Sequence, residues 1–500
     1  MELKKYIFIV LFFSIITFSC SERKVNDIQI NQKLEGCWVG GLLKNGILTE
    51  DMELRFLKVK SDSTLVISLI YELGPRSSVR EYDTEISCQN SNLSWLAHEG
   101  HLSENLDTMY LTKNWKGEKS QWMFYRDKNY DDFIKKFISN NKKDYTYSIP
   151  ASKNDSLSCT SMENVEIDPI QITDFIKGIK SGSFGDIHST LIYRRSKLVL
   201  EEYFAREGKF SGPFINETYR NKVHQLSSVT KGILSLIVGT AINQGNISNV
   251  NEPIYIYLPQ YVNSFSDDKK QIQIKHLLTM TSGWEWRQFG VGWDDPRNNA
   301  AEMLRCNDIV KYVVERPLTA KPGKKFNYTN GEPTVLGVVL KNACEKEVDK
   351  FTDSLLFNPL GITEYEWTRY SDGSLETDGG LKLKSRDLLK VGILMLNNGN
   401  WMGKQIITES WISESTKSRI SLSMKRGYGY YWNDMKYGSR GKSENAIIIS
   451  GSGGQFLAIF PSLDMVIVFT AGIYDKDPTK MYWKIITDKI LPAVNEYNIK

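Results

Sequence analysis

Histidine is scarce in this chain of 500 residues. There are five, and no two stand in a His-x-x-x-His arrangement, so metal catalysis finds no support. Cysteine is nearly as rare: six residues, none in Cys-x-x-Cys spacing, which makes a structural zinc improbable. No basic cluster rises out of 63 Lys and Arg against 59 Asp and Glu, a net charge of +4, so the electrostatic footprint of a nucleic-acid partner is missing. Beyond residue 20 no stretch reaches the ~18 apolar residues that a spanning helix needs. Nothing repeats internally. What is present is a 41% hydrophobic and 12% aromatic composition. That suits a globular protein with a large core, and the length suits more than one domain. Neither metal nor cofactor is expected.

The long apolar run that does exist lies at the start. Met1-Glu2-Leu3-Lys4-Lys5 precedes the apolar stretch Tyr6–Phe18, the pattern of a secretory signal. Ser19-Cys20-Ser21 follows, and a small residue directly before cysteine resembles a bacterial lipoprotein processing site. The expectation is a signal peptide over 1–20 and a lipid on Cys20. The chain would then be exported and tethered to a cell-envelope membrane; ordinary signal cleavage nearby is the alternative. Among the other cysteines, Cys37 and Cys88 could pair across an N-terminal sheet, and the odd count leaves a free thiol.

Residues 21–135 read as an all-β accessory domain. Segments such as Cys37–Leu43, Met52–Val59, Thr64–Leu73, Val79–Ser87, Asn92–Ala97, Thr108–Thr112 and Gln121–Tyr125 are rich in β-branched and aromatic residues. Turn formers such as Lys44-Asn45-Gly46 and Lys116-Gly117-Glu118 separate them. Short strands at this spacing predict an antiparallel barrel or sandwich. Residues 136–168, with Asn140-Asn141-Lys142-Lys143-Asp144 and a polar run from Ser152 to Ser161, read as a linker. Residues 169–500 form the remaining domain.

Within that domain the most informative stretch is Ser228-Val229-Thr230-Lys231, just before the apolar run Gly232–Val238. The run predicts a buried helix, so these residues open its first turn. Residues three apart on a turn face the same way, which sets an amine beside a hydroxyl. A serine hydroxyl becomes a useful nucleophile once a neighbouring base takes its proton, and desolvation favours the uncharged amine that could do so. Standing alone, Ser-x-x-Lys reads equally well as a helix cap. About a hundred residues on comes Pro322-Gly323-Lys324-Lys325-Phe326-Asn327-Tyr328-Thr329-Asn330. Here Tyr328 could relay a proton and Asn330 could donate a hydrogen bond to an acyl group; a structural tyrosine with an Asx turn is the plainer reading. A third element, Ser450-Gly451-Ser452-Gly453-Gly454-Gln455-Phe456, lies between apolar strands, where glycines let backbone approach a ligand or close a hairpin.

Together these three elements resemble the serine hydrolases related to class C β-lactamases and penicillin-binding proteins, nearest the 6-aminohexanoate-dimer hydrolase and esterase branch. The resemblance extends to the hairpin from Ser189 to Phe204, to His276-Leu277-Leu278-Thr279-Met280-Thr281-Ser282-Gly283-Trp284, to Gly379-Gly380-Leu381 with Ser385-Arg386-Asp387-Leu388, and to Tyr428-Gly429-Tyr430-Tyr431-Trp432. It covers roughly residues 170–495. It implies an α+β fold in which the first and last strands join one antiparallel sheet, flanked by the Ser228 helix and a C-terminal helix over Lys480–Ile490. Residues 245–435 would form a mostly helical lobe. By the same resemblance Ser228 is the nucleophile, Lys231 and Tyr328 share the general-base work in an order left open, and Asn330 holds the acyl side chain. Ser228 and a residue near Gln455 would supply oxyanion donors. Where β-lactamases carry Lys-Thr-Gly and the esterase branch often His-x-Gly, this chain offers Ser452-Gly453-Gly454, without a cation to grip a carboxylate.

The leading reading is therefore an exported serine hydrolase that cleaves an ester, amide or peptide of small size through a Ser228 acyl-enzyme. A peptidoglycan D,D-carboxypeptidase or true β-lactamase is the alternative within enzymes, and a non-catalytic binding lipoprotein the alternative outside them. Trp284, Trp286, Trp293 and Tyr430-Tyr431-Trp432 are candidate walls of an apolar pocket, with core packing as their other use.

Overall fold

The computed structural model describes the backbone of eight strands between Gly36 and Arg126, together with residues 145–180, 183–204, 220–439, 441–474 and 477–494. Cys20, Cys37 and Cys88 fall outside what it describes in side-chain detail, so neither the lipidation nor the pairing expectation is addressed by it. The chain divides into two compact units, one holding residues 1–144 and the other built mainly from 145–177, 187–205 and 216–500.

In the first unit the strands β1 (Gly36–Lys44), β2 (Ile47–Ser61), β3 (Thr64–Leu73), β4 (Val79–Gln89), β5 (Asn92–Trp95), β6 (His98–Leu102), β7 (Thr108–Trp115) and β8 (Glu118–Arg126) pair antiparallel in order. β1 also pairs with β8, and the sheet closes into a barrel. The β6 segment was not among the expected strands. His98-Glu99-Gly100-His101-Leu102 has no β-branched residue, and its neighbours rather than its own propensity make it a strand.

The second unit is built on an antiparallel sheet. Strands β9 (Ile187–Arg194) and β10 (Lys197–Tyr203) form its first hairpin. A separate three-stranded ribbon joins β11 (His224–Gln225), β12 (Glu366–Trp367) and β13 (Leu381–Leu383), and a small hairpin joins β14 (Asn400–Trp401) to β15 (Lys404–Gln405). The main sheet then continues through β16 (Ile420–Ser423), β17 (Arg426–Tyr428), β18 (Asn433–Ser439), β19 (Lys442–Gly451), β20 (Gln455–Phe460) and β21 (Met465–Ala471), in the order β10-β9-β21-β20-β19-β18-β17-β16. The last strand pairs with the first along Arg194↔Met465 through Thr190↔Phe469. β20 and β21 are buried at every position, as strands covered on both faces must be, and so read as continuous apolar runs.

Both faces are indeed covered. On one side Phe456 and Phe469 stack with Tyr482 of α6 (Thr479–Ile485), and Phe175 of α1 (Pro169–Lys180) meets Phe469 edge-on. On the other lie α2 (Thr230–Asn243) and α4 (Ser385–Leu396). There Gly232 rests against Ile449 and Trp432, and Gly392 against Val466 and Leu457. Four helices flank the sheet where two were expected. The helical lobe also ends earlier than residue 435, because 420–439 are the sheet strands β16 to β18. The long helix of that lobe is α3 (Gly331–Cys344), and α5 (Glu409–Thr416) sets the Trp411 indole against Gly239 of α2.

The segment read as a linker is partly structural. Leu198 N donates to Ser158 O at 2.9 Å, Cys159 bridges Leu198, and Leu157, Met162, Val165 and Ile167 are buried. Asp155 also joins an ion cluster, its Oδ2 lying 2.5 Å from Arg386 Nε and its Oδ1 accepting from Arg386 Nη2 at 3.3 Å, while Arg386 Nη1 donates to Glu201 at 2.6 Å. Removing one partner of a buried pair costs about 3–5 kcal/mol when the other is left alone; Glu201 would keep Tyr203 and Arg220, which sets the loss at the lower end of that range. Arg386→Met is thus expected to lower unfolding free energy by about that amount, read from urea denaturation. A change under about 1 kcal/mol would show that the cluster is effectively solvated.

Candidate active site

Ser228 sits in a tight 3-10 turn, Ser227–Val229, that runs directly into α2. The turn is entered through a left-handed residue, Ser227 at φ 48°, a conformation costly for a side-chain-bearing residue. Every residue of α2 from Thr230 to Ala241 is buried, so the helix carries its one lysine into the interior: Lys231 is 2% exposed. Its Nζ lies 3.1 Å from Ser228 Oγ, 3.3 Å from Asn330 Oδ1 and 2.6 Å from the main-chain oxygen of Asp378. Two of these partners are carbonyl oxygens that can only accept. The third is a hydroxyl that can also donate. An uncharged amine can therefore place two N–H groups on the carbonyls and leave its lone pair facing the serine O–H. As an ammonium it donates to all three.

Tyr328 is brought to the same place, but by its ring. The Lys231 Nζ lies 5.2 Å from the Tyr328 ring centroid, and Phe289 covers Tyr328 at 5.7 Å. Its hydroxyl makes no hydrogen bond among the described residues. Catalytic hydrogen bonds of this kind are often long without substrate; of the two candidate bases, Lys231 is the one in hydrogen-bond contact with Ser228. Asn330 caps the start of α3. Its Oδ1 is engaged by Lys231 and, at 3.4 Å, by Gln288 Nε2, while Gln288 Oε1 accepts from Asn330 N at 2.9 Å and Trp286 Nε1 at 2.7 Å. Gln288 is a site residue that sequence reasoning missed, since a lone glutamine in a loop carries no pattern.

Asp378 is another. The Gly379-Gly380-Leu381 stretch was noticed, but the acidic residues ahead of it were not. This segment is docked on the Ser228 turn and its flanks by three bonds: Gln225 Nε2 to Gly379 O at 2.5 Å, Leu226 N to Leu381 O at 2.9 Å, and Leu381 N to Thr230 Oγ1 at 3.3 Å. The Asp378 carboxylate turns away to a short hydrogen bond from Tyr370, and burial holds it above the usual carboxylate range. Glu376 lies beside it, pushed up to about 7 by burial and by the charge on Asp378, with Lys231 and Lys382 pulling the other way. Among the described residues no group of His, Cys, Asp and Glu is placed to hold a metal ion.

The glycine-rich hairpin reaches the site at a different residue from the expected ones. A Cβ on Gly451 would lie 3.0 Å from Ser228 N and collide with the Leu226 carbonyl, so the end of β19 is pressed against the backbone that bears the nucleophile. Ser452 is exposed. Gly453 and Gly454, at φ 82° and 88°, carry the turn, and the space beside them is filled by Tyr474 and Tyr482. The Gln455 side chain is fully buried and spent on the main chain of Ala471, at 2.7 and 3.3 Å. It ties β20 to β21 and does not face Ser228. Pairing across the sheet consumes its side-chain amide, so any substrate contact of Gln455 falls to its main chain. The aromatic wall is corrected. Trp284, Trp286, Tyr430, Tyr431 and Trp432 are core residues, and only Trp293 is exposed. Phe289 and Tyr474 are exposed and rest on Tyr328 and Gly453.

A family model described as Beta-lactamase matches residues 188–482. The 6-aminohexanoate-dimer hydrolase of Paenarthrobacter ureafaciens is 21% identical over 288 residues, which cover 54% of this chain and 71% of that protein. The protein flp of Staphylococcus aureus strain N315 is 23% identical over 225 residues, 45% of this chain and 42% of that protein, so the chain spans less than half the length of this relative. A solved structure from Bacillus anthracis, provisionally described as a 6-aminohexanoate-dimer hydrolase, superposes with a TM-score of 0.51 at 19% identity, covering 68% of this chain and 87% of that one.

Two outcomes follow from the site's geometry. Gly451→Val should fold, because strand propensity favours valine, yet lose labelling by an active-serine fluorophosphonate by about 10²-fold, since displacing the nucleophile by ~1 Å has that effect. Wild-type labelling of a folded variant would detach β19 from the site. Glu376 gains its charge as pH rises through about 7, so an activity profile of Glu376→Gln should lack an inflection near neutrality that the parent shows. Superimposable profiles would place Glu376 outside the reaction's electrostatics.

Proposed function

The chain belongs to the β-lactamase family of serine hydrolases, and on that premise we propose that it is an exported enzyme cleaving an uncharged ester or amide through an acyl-enzyme on Ser228. The observation that carries this reading is the set of partners around Lys231: two obligate acceptors and one hydroxyl, at 2.6, 3.3 and 3.1 Å. In the proposed reaction the Ser228 Oγ attacks the carbonyl carbon while its proton passes to the Lys231 amine, directly or through Tyr328. The tetrahedral oxyanion forms beside the main chain of Ser228 and Gly451. Each backbone donor to such an oxygen commonly contributes about 2.7–4 kcal/mol. Collapse expels the alcohol or amine, which takes the proton back, and water repeats the sequence to release the acid. Asn330, whose oxygen is engaged by Lys231 and Gln288, keeps its amide N–H groups for the acyl part of the substrate.

Selectivity is argued from what lines the end of β19. Residues 447–454 contain no Lys, Arg or His, so nothing there pairs with a free carboxylate next to the scissile bond. Phe289, Trp293 and Tyr474 supply exposed aromatic surface instead, which suits an apolar acyl group. Export and a lipid on Cys20 are part of the same reading, supported by the charged start, the apolar core and Ser19-Cys20. The rival reading, a D,D-carboxypeptidase or β-lactamase, has the family in its favour and the missing cation against it.

Turnover of p-nitrophenyl acetate and of longer acyl homologues should be lost in Ser228→Ala. Ser228→Ala that turns over at the parent's rate sinks the proposal, and stable labelling by a fluorescent penicillin reverses the ranking of substrates. Lys231→Arg is expected to be nearly inactive while circular dichroism shows it folded, because a guanidinium stays protonated and cannot accept the serine proton. An active Lys231→Arg protein leaves Tyr328 as the base.

A further inference from the structure

Glu332 is the second residue of α3, two beyond Asn330 and four beyond Tyr328. It is 1% exposed and has no cationic partner among the described residues. Its Oε1 accepts from Ser282 Oγ at 2.5 Å and from Ser282 N at 3.3 Å, and its own N–H donates to Thr329 Oγ1 at 3.0 Å. Its Oε2 is buried with no partner among the described residues, and so is the Tyr431 hydroxyl. A buried carboxylate with a bare oxygen is among the most costly groups a core can hold, whereas a carboxylic acid in the same place carries no charge.

The segments that meet at this carboxyl are those that set the site. Ser282 belongs to a turn containing two left-handed residues, Met280 at φ 56° and Gly283 at φ 87°. The Met280 oxygen accepts from Asn327 N at 2.8 Å, directly ahead of Tyr328, and the Leu278 oxygen accepts from Tyr431 N at 3.0 Å. Tyr431 is itself left-handed at φ 67°, an outlier for a bulky side chain.

We propose that Glu332 is a positioning residue of the hydrolytic site: an uncharged carboxylic acid that fastens the Tyr328–Asn330 loop to the 278–284 turn. The proposal rests on the hydrolase reading for its kinetic consequences. Burial drives the Glu332 carboxyl well above the usual range, against the pull of the Ser282 bonds. Of the ionisable groups on elements packed around it, Tyr428 and Tyr431 are kept neutral by burial. His276 is held down to about 4, so it is uncharged at neutral pH. Lys231 is turned to Ser228, Asn330 and Asp378. Among the described residues no cation is therefore placed to compensate an ionised Glu332. Because its folded-state value is raised, its contribution to stability is complete at acid pH and is lost as pH rises towards that value. The same ionisation loosens the loop that carries Tyr328 and Asn330.

The test uses the full chain and the variants Glu332→Gln and Glu332→Ala, each checked for folding by circular dichroism. Two readouts are needed: pH profiles of kcat and KM on a p-nitrophenyl ester, and infrared spectra in the carbonyl region at neutral pH. The parent-minus-variant difference spectrum should hold the stretch of one protonated carboxylic acid above the part that Glu376 and Asp378 give to both proteins, and the parent should show an alkaline fall in kcat that Glu332→Gln lacks. Glu332→Ala should lose kcat by up to about 10²-fold with a smaller change in KM, and Glu332→Gln should recover most of that loss. A folded Glu332→Ala protein with parental kcat overturns the proposal, as does a Glu332→Gln profile that superimposes on the parent's. If the parent neither hydrolyses esters nor takes a fluorophosphonate label, the hydrolase reading fails by itself. The infrared difference then decides Glu332, and a parent-minus-Glu332→Gln spectrum without a protonated-carboxyl stretch overturns the assignment.

Discussion

The site depends on a lysine buried among neutral oxygens. An amine at 2% exposure needs partners, because stripping water from it without replacement is prohibitive. The fold supplies three oxygens from three separate segments: the turn before α2, the cap of α3, and the loop before β13. Each of those segments is thereby drawn to one point. The same requirement explains why α2 is apolar all round. It lies between the sheet and the helical lobe, with Trp432 and Ile449 on one side and Trp411 on another, and no face of it meets water.

Holding three segments on one amine requires tight local backbone, and the left-handed side-chain-bearing residues near the site record it. Ser227 precedes the nucleophile, Met280 precedes the turn that receives Asn327, and Tyr431 closes on the helix behind that turn. Each such residue costs of order 1–3 kcal/mol. The three-layer arrangement offsets this strain: β20 and β21 are buried throughout, between Phe175 and Tyr482 on one face and α4 on the other.

Legibility in the sequence followed the same division. The Ser-x-x-Lys turn, the Tyr-x-Asn loop, and the first and last strands of the sheet could be read because periodic apolar runs and short spacings act locally. Gln288, Asp378 and Glu332 could not. Their roles come from contacts between residues 42 to 147 apart, and a single polar residue in a loop has no period to reveal it. The aromatic clusters misled for a related reason. Tyr430-Tyr431-Trp432 looks the same whether it walls a pocket or fills a core, and the choice is made by Leu278 and Ser415, whose carbonyls bind the backbone of Tyr431 and Tyr430. The polar composition of residues 145–168 likewise concealed four buried apolar side chains that seal the edge of the sheet.

The strand edge beside Ser228 carries a last consequence. A glycine at 451 is required because the backbone of Leu226 and Ser228 occupies the space a side chain would take. The residues after it are committed too: Gly453 and Gly454 to the turn, and Gln455 to joining β20 with β21. A cation to bind a substrate carboxylate therefore has no vacant inward position between 451 and 455 and would have to come from another segment. Specificity at this edge is left to main chain and to the exposed rings of Phe289 and Tyr474. Such surfaces discriminate weakly between apolar groups, by about 1–3 kcal/mol for a methylene. An enzyme built this way should accept a range of acyl chains and owe its rate to the fixed placement of Ser228 and Lys231, not to tight recognition of one substrate.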